Sequence, residues 1–250
     1  MPWVLDLDGV VWLADDVLPG APEAVARIRS SGERIAFVTN NSSEVVGTYV
    51  DKLGRMGIPV GPDDVITSAQ AAAAMVEPGQ RVMCCGGDGV VEALTTRGVE
   101  VVDGAPADAV MVGWHRSFDY DELTRAMRAV RAGAVLIGTN DDPSYPIPGG
   151  LLPGGGALVA AVAYASECEA QIAGKPHVPM VDLIAARVGA VEWVIGDRPS
   201  TDGRLAAALG ARFGLVLSGV ATQVPASDDS PPTADVAADL AALVGVLLPG

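Results

Sequence analysis

Apolar residues along this chain come in short runs that stop at small, polar or acidic residues, and segments of helical spacing lie between them. Trp3-Val4-Leu5 leads straight into Asp6-Leu7-Asp8-Gly9. This reads as a buried parallel strand that ends in a charged loop. Ala24, Val25 and Ile28 have helical spacing up to a stop at Gly32, and Arg34-Ile35-Ala36-Phe37-Val38 forms the next strand, ending in Thr39-Asn40-Asn41-Ser42-Ser43. Strand, helix and strand make a βαβ unit. The pattern then predicts a helix over 44–56 capped by Asn41, Ser42 or Ser43, a short strand over 64–67, and an Ala-rich helix to about 75 with Ser68 as its cap.

Pro78-Gly79 breaks the chain, and a second rhythm follows: a strand over 81–85, a helix over 90–97, a strand over 109–113, a helix to 132 capped by Asp119, and a strand over 134–138. It amounts to a compact α/β unit of about seventy residues, near the lower limit for independent folding. Neither Asp-x-Asp nor Thr-Asn-Asn recurs inside it, so it reads as an insertion and not a repeat. Residues 139–156 hold four prolines, five glycines and two aspartates, and long loops of this kind are usually functional. Gly154-Gly155-Gly156 reads as a hinge or a close backbone approach, since no strand leads into it with a nucleotide-loop spacing.

A helix over 157–167 and the short run Gln171-Ile172-Ala173 lead to Gly174-Lys175-Pro176. A helix over 180–188 and the strand Trp193-Val194-Ile195 then lead to Gly196-Asp197-Arg198-Pro199-Ser200-Thr201-Asp202. A strand over 213–217, an exposed loop over 227–232 and a helix over 234–243 complete the sheet.

Charge sharpens this picture. The 250 residues carry a formal net charge of -15, which argues against nucleic acid as a partner. An anionic substrate needs a locally positive site, supplied by a metal or a placed lysine. Lys175, between a glycine and a proline after a short strand, is the fixed cation that meets this demand. No run of about eighteen apolar residues and no signal-peptide pattern is present, so a cytoplasmic protein with no membrane partner is expected. Cys84, Cys85 and Cys168 form no Cys-x-x-Cys pair and read as small buried apolar residues.

Three strands therefore end in Asp6/Asp8, Thr39 and Asp197, and ligands of open α/β sheets bind beyond strand C-termini. Carboxylates crowded at one sheet edge call for a divalent cation, and oxygen ligands of this kind suit magnesium. A metal, a lysine, a hydroxyl and free backbone amides are what a transferring phosphoryl group needs. One carboxylate can be the nucleophile and another can move the proton.

Taken in order, Asp6-Leu7-Asp8-Gly9-Val10, Thr39-Asn40-Asn41-Ser42, Gly174-Lys175-Pro176 and Gly196-Asp197-Arg198-Pro199-Ser200-Thr201-Asp202 resemble the four motifs of the haloacid dehalogenase (HAD) superfamily. The chain is more narrowly similar to its class IIA capped phosphatases, which include 4-nitrophenylphosphatases, phosphoglycolate phosphatases and pyridoxal phosphate phosphatase. The resemblance extends to Thr139-Asn140-Asp141-Asp142 through Pro146 and to Leu152-Pro153-Gly154. It implies an α/β fold, with a Rossmann-like doubly wound parallel sheet core over 1–79 and 151–250 and an inserted α/β cap over 80–150. It also implies a magnesium-dependent phosphatase acting on a small phosphorylated metabolite through an aspartyl-phosphate. Asp6 would be nucleophile and metal ligand, and Asp8 acid, then base, and a metal ligand through its carbonyl. Thr39, Asn40 and Asn41 would bind the phosphoryl oxygens, Lys175 would neutralise charge, and Asp197 would ligate Mg2+ with Asp202 supporting from behind. Asp142 would contact the leaving group, and a homodimer through the cap is implied.

The proline at 199 departs from the hydrophobic residue frequent there in relatives. His115 and His177 occupy no motif position and read as structural or surface residues. Trp12 and Tyr145, near the substrate entrance, read first as packing. A phospho-receiver domain shares the clustered Asp, Thr and Lys, but Asp8, two residues after the nucleophile, favours turnover. A dinucleotide-binding dehydrogenase would need a glycine fingerprint after the first strand.

Overall fold

The structure is a computed structural model that describes residues 1–147, 150–223 and 235–248. The loop expected over 227–232 lies outside the described residues. In chain order the first elements are β1 (Trp3–Leu5), β2 (Trp12–Leu13), β3 (Asp16–Val17), α1 (Ala21–Ser30), β4 (Ile35–Thr39), α2 (Val46–Arg55), β5 (Val65–Thr67) and α3 (Ser68–Ala73). There follow β6 (Arg81–Cys85), α4 (Asp88–Arg97), β7 (Glu100–Val102), β8 (Ala109–Val112), α5 (Tyr120–Arg131), β9 (Val135–Gly138), β10 (Ser144–Ile147), β11 (Gly150–Pro153), α6 (Gly155–Ser166) and β12 (Gln171–Ile172). The chain ends with α7 (Val178–Val188), β13 (Trp193–Gly196), α8 (Arg204–Leu209), β14 (Arg212–Val216), β15 (Asp235–Ala237) and α9 (Leu240–Leu247).

A parallel sheet of order β15-β14-β13-β1-β4-β5 forms the larger layer. The chain leaves β1 toward β4 and β5, then returns to build outward from β13 on the other side. The switch in direction lies between β1 and β13, where the crevice of a doubly wound sheet opens. Asp6 follows one of these strands and Asp197 the other. Both faces of the sheet are buried, as the continuous apolar strands require. Along β1, Trp3 and Leu5 pack with Phe37, Ile195 and Leu243, whereas Val4 packs with Val38, Ile66 and Val194 on the opposite face.

The second sheet has the order β12-β9-β8-β6-β7, also parallel. Its extent differs from the expected boundary at 150. Val159 and Val162 of α6 are buried with Met83, Val110, Val112 and Leu136, and β12 pairs with β9, so α6 and β12 belong to this sheet and the return to the larger one comes at 173. The antiparallel pair β10–β11 lies in the stretch whose prolines and glycines hid it from periodicity. An apolar cluster continues between the two sheets, joining Ala69 and Ala72 to Val82, Met111 and Ile137.

Local signals differ from expectation at three helix starts. Thr67, not Ser68, caps α3, through a reciprocal capping box with Gln70. None of Asn41, Ser42 and Ser43 caps α2, because Asn41 Oδ1 accepts from the Ser43 amide and Ser42 Oγ pairs with Thr139 Oγ1. The Val46 N–H of α2 donates 2.8 Å to Glu92 Oε2 on α4, and Gly87 and Gly89 sit against the Ser43 and Glu44 backbone where a Cβ would overlap. The helix expected over 234–243 is strand β15 followed by α9, capped by Asp239.

Candidate active site

β1, β4 and β13 end side by side, and the loops beyond them line a cleft of about 580 Å³ counting its open mouth. Asp6, Asp8, Thr39, Asn40, Asn41, Asp142, Lys175 and Asp197 all face it. The Asp6 N–H donates 2.9 Å to the Ile195 carbonyl and continues the ladder, and the chain then turns through Gly9 at φ +80°. That turn brings the Asp8 side chain back beside Trp12. Trp12 Nε1 donates 3.1 Å and Tyr145 Oη donates 3.3 Å to Asp8 Oδ1. Trp12 and Tyr145 therefore do more than fill space, which periodicity could not have revealed.

Lys175 organises the charges. Its ammonium lies 2.7 Å from Asp6 Oδ1 and 2.7 Å from Asp202 Oδ1, and it donates 3.3 Å to the Val38 carbonyl. Its side chain is 3% exposed, and that of Asp202 is 1%. Burial alone would lower the Lys175 pKa, but the Asp202 and Asp6 carboxylates outweigh it and hold the ammonium above its ordinary value. Asp6 is raised well above the ordinary carboxylate value, first by burial and then by Asp202 and Asp197, against the pull of Lys175. Burial, followed by the Asp202 charge, pushes Asp197 up to about 6, and burial raises Asp8 as well.

Asp6, Asp197 and Asp202 each offer a carboxylate oxygen, and the three oxygens lie within 4.8 Å of one another. Three carboxylates and one ammonium leave two negative charges, an all-oxygen set that fits a hard dication such as magnesium. The cradle around Asp197 is close: the Val220 N–H donates 2.5 Å to its Oδ2, and a Cβ on Gly9 would lie 2.5 Å from that same atom. Asp202 sits behind the cleft, its Oδ2 accepting from the Arg198 amide at 3.2 Å.

The loop after β4 is held just as firmly. Thr39 Oγ1 accepts from the Asn41 N–H at 3.0 Å. Asn40 Oδ1 accepts from the Lys175 N–H at 2.7 Å, while its Nδ2 donates 2.9 Å to Asp142 Oδ2. Asp142 Oδ1 takes Arg198 Nη1 at 2.8 Å. Both Asp142 oxygens are thus engaged by protein groups, and Arg198 and Asn140 join the site although sequence reasoning gave them no role. Arg198 stands inside a motif, so its position was visible even though its partner was not.

The remaining sequence candidates fall outside the cleft. His177 Nε2 lies 3.0 Å from Asp141 Oδ2 at the surface, and His115 sits by Glu122. Of the three cysteines expected to be buried, Cys85 is, whereas Cys84 and Cys168 are only partly so; partial burial still pushes the Cys84 thiol up to about 12. Gly154 and Gly156 press against the Asp142 and Asp141 backbone, which is the close approach expected of that run.

Comparison with known proteins points the same way. A haloacid dehalogenase-like hydrolase model matches residues 3–100 and a HAD-hydrolase-like model matches residues 172–243. The chain is 35% identical over 249 residues to glycerol-3-phosphate phosphatase of Gallus gallus, spanning 88% of this chain and 80% of that one. It superposes with TM-score 0.88 and 32% identity on a glycerol phosphate phosphatase from Mycobacterium tuberculosis in complex with magnesium, covering 97% of this chain and 75% of that one. A p-nitrophenyl phosphatase from Archaeoglobus fulgidus gives TM-score 0.90 at 28% identity, with 98% of both chains covered.

Proposed function

This chain belongs to the haloacid dehalogenase-like hydrolases and is a phosphatase, and from that premise we propose that it hydrolyses a small phosphate monoester with Asp6 as the nucleophile. The observation that carries this reading is the Asp6 carboxylate, paired at 2.7 Å with buried Lys175 and facing the cleft at the switch point of the sheet. Asp6 attacks phosphorus, the P–O bond to the leaving group breaks, and an aspartyl-phosphate forms. Asp8 gives its proton to the departing oxygen. It then takes one from the water that cleaves the acyl phosphate, releasing inorganic phosphate. The raised Asp8 pKa supports the proton-donor role, because the protonated form persists to higher pH.

Thr39 and the amides at Asn40 and Asn41 hold the phosphoryl oxygens, and Lys175 balances charge on nucleophile and phosphate. Asp6, Asp197 and the Asp8 carbonyl would hold Mg2+, which when bound neutralises charge developing on the phosphoryl oxygens. Asp202 aims the Lys175 ammonium and ties down the loop of Asp197. The substrate class is a small phosphorylated metabolite, in line with relatives named for glycerol phosphate and nitrophenyl phosphate. The second sheet acts as a cap that selects the leaving group. Three unpaired cysteines support a reducing, cytoplasmic setting. Tyr120 and Tyr164, exposed at 81% and 90% on cap helices, support a homodimer through the cap.

Phosphate release from a panel of monoesters, with magnesium or chelator, for wild type and Asp6→Asn, tests the reading. Magnesium-dependent release lost in the variant is expected. A stable acid-labile phosphoprotein with no release from any ester would overturn it in favour of a receiver.

A further inference from the structure

Residues 139–145, which leave the second sheet after β9, touch every loop of the site. Thr139 Oγ1 pairs with Ser42 Oγ at 3.0 Å, and Asn140 Nδ2 donates 2.8 Å to the Asn40 carbonyl. Asp141 meets His177 beyond the lysine loop at 3.0 Å. Asp142 joins Asn40 and Arg198, and Tyr145 reaches Asp8. The strap itself is fixed: the Asp142 N–H donates to Asn140 Oδ1 at 3.2 Å and the Asp142 carbonyl accepts from Gly156 at 3.0 Å.

Within the strap, Asp142 stands apart because both its carboxylate oxygens are spent on the core. One oxygen takes the side-chain amide of Asn40, on the loop that follows β4. The other takes the guanidinium of Arg198, on the loop that carries Asp197 and Asp202. Asn40 in turn accepts the Lys175 amide, so a single carboxylate spans the phosphate loop, the lysine loop and the metal loop. The pair is only 18% exposed on each side, so water does not replace these bonds cheaply. Each oxygen keeps a further lone pair, so what marks Asp142 is the pair of core loops that its carboxylate joins.

We propose that Asp142 is a positioning residue, a clamp that holds the Asn40 loop and the Arg198 loop at the spacing an oxyanion and a dication require, and not a contact to the leaving group. This rests on the phosphatase reading of the same cleft. Hydrogen bonds to charged groups are strong enough that losing one here weakens anion binding by about tenfold or more. Asp142→Asn is the informative change. Its amide can still accept from Arg198, but the NH2 it gains then faces the NH2 of Asn40.

The test measures magnesium binding, and inorganic phosphate binding in saturating magnesium, by calorimetry on the full chain for wild type, Asp142→Asn and Arg198→Gln, alongside KM and kcat for 4-nitrophenyl phosphate and glycerol phosphate. Expected is a weakening of phosphate and magnesium binding by about tenfold in both variants, with KM raised by the same factor for both esters. Wild-type binding constants in folded Asp142→Asn would overturn the proposal. So would a KM that rises for one ester alone while inorganic phosphate binds normally, since that is the signature of a leaving-group contact. Should Asp142→Asn fail to fold, Arg198→Gln decides by the same criteria. No phosphate release by wild type, in contrast, counts against the phosphatase reading and not against the clamp.

Discussion

Replacing Lys175 by methionine tests the charge balance of the site. The ammonium lies 2.7 Å from both Asp6 and Asp202 and is 3% exposed, and methionine keeps most of the stem while removing the charge. Two buried carboxylates then lose their counter-ion. Breaking a buried ion pair costs about 3–5 kcal/mol, so K175M is expected to lose that much stability in chelator at pH 8. The cost shrinks when protons can replace the ammonium. Burial pushes Asp197 up to about 6 and raises Asp6, so at pH 5 the variant takes up a proton and recovers part of the loss. The assay is urea unfolding of wild type and K175M at pH 5 and pH 8 in chelator, repeated with magnesium, which narrows the gap at pH 8. Phosphate release falls by about 10²–10³, the usual cost of one fixed donor to a developing oxyanion. An equal loss at both pH values, or a loss below about 1 kcal/mol at pH 8, would refute the counter-ion argument. Turnover at the wild-type rate would refute the role given to Lys175.

Metal-free wild type carries its own pH signature. Asp197 titrates at about 6 in the folded chain against 3.8 in the unfolded one. Its stabilising contribution is complete below the lower value and is lost as pH rises through the upper, about 3 kcal/mol in all. Thermal melts in chelator between pH 4 and 7 read that loss, Asp197→Asn makes it shallower and leaves the part due to Asp6 and Asp8, and a rising wild-type melting temperature over the interval would contradict it. Tyr145→Phe removes one of two donors to Asp8 Oδ1, and kcat should fall by roughly threefold to tenfold with little change in melting temperature; an unchanged kcat would make Tyr145 a packing residue. Gly9→Ala puts a Cβ 2.5 Å from Asp197 Oδ2 at a φ of +80°, costing about 1–2 kcal/mol in backbone strain. Magnesium titration followed by melting should find its affinity reduced, and wild-type affinity would contradict the cradle.

How much of this was legible in the sequence depends on the kind of interaction. Strands ending in Asp6, Thr39 and Asp197 announce themselves, because a buried parallel strand is a solid apolar run and the first polar residue after it marks the sheet edge. Lys175 was legible through an excess of carboxylates that needed a fixed cation. Contacts between distant segments left no such trace. Nothing local says that Arg198 meets Asp142, 56 residues away, or that Tyr145 reaches back 137 residues to Asp8. The boundary at 150 was misread for a related reason: α6 is apolar on several sides and suits either sheet, and only its burial with Met83 and Val110 decides which.

The bond from Val46 to Glu92 bears on how such an insertion could be exchanged. Helix α2 has no cap of its own, and its first amide is satisfied by a residue that a transplant of the smaller sheet would carry away. Such a transplant would also strip Val82, Met111 and Ile137 from Ala69 and Ala72. Modular as it is along the chain, the insertion shares an apolar cluster and a helix-start bond with the larger sheet, so a chimera must bring its own acid for α2 and its own apolar underside.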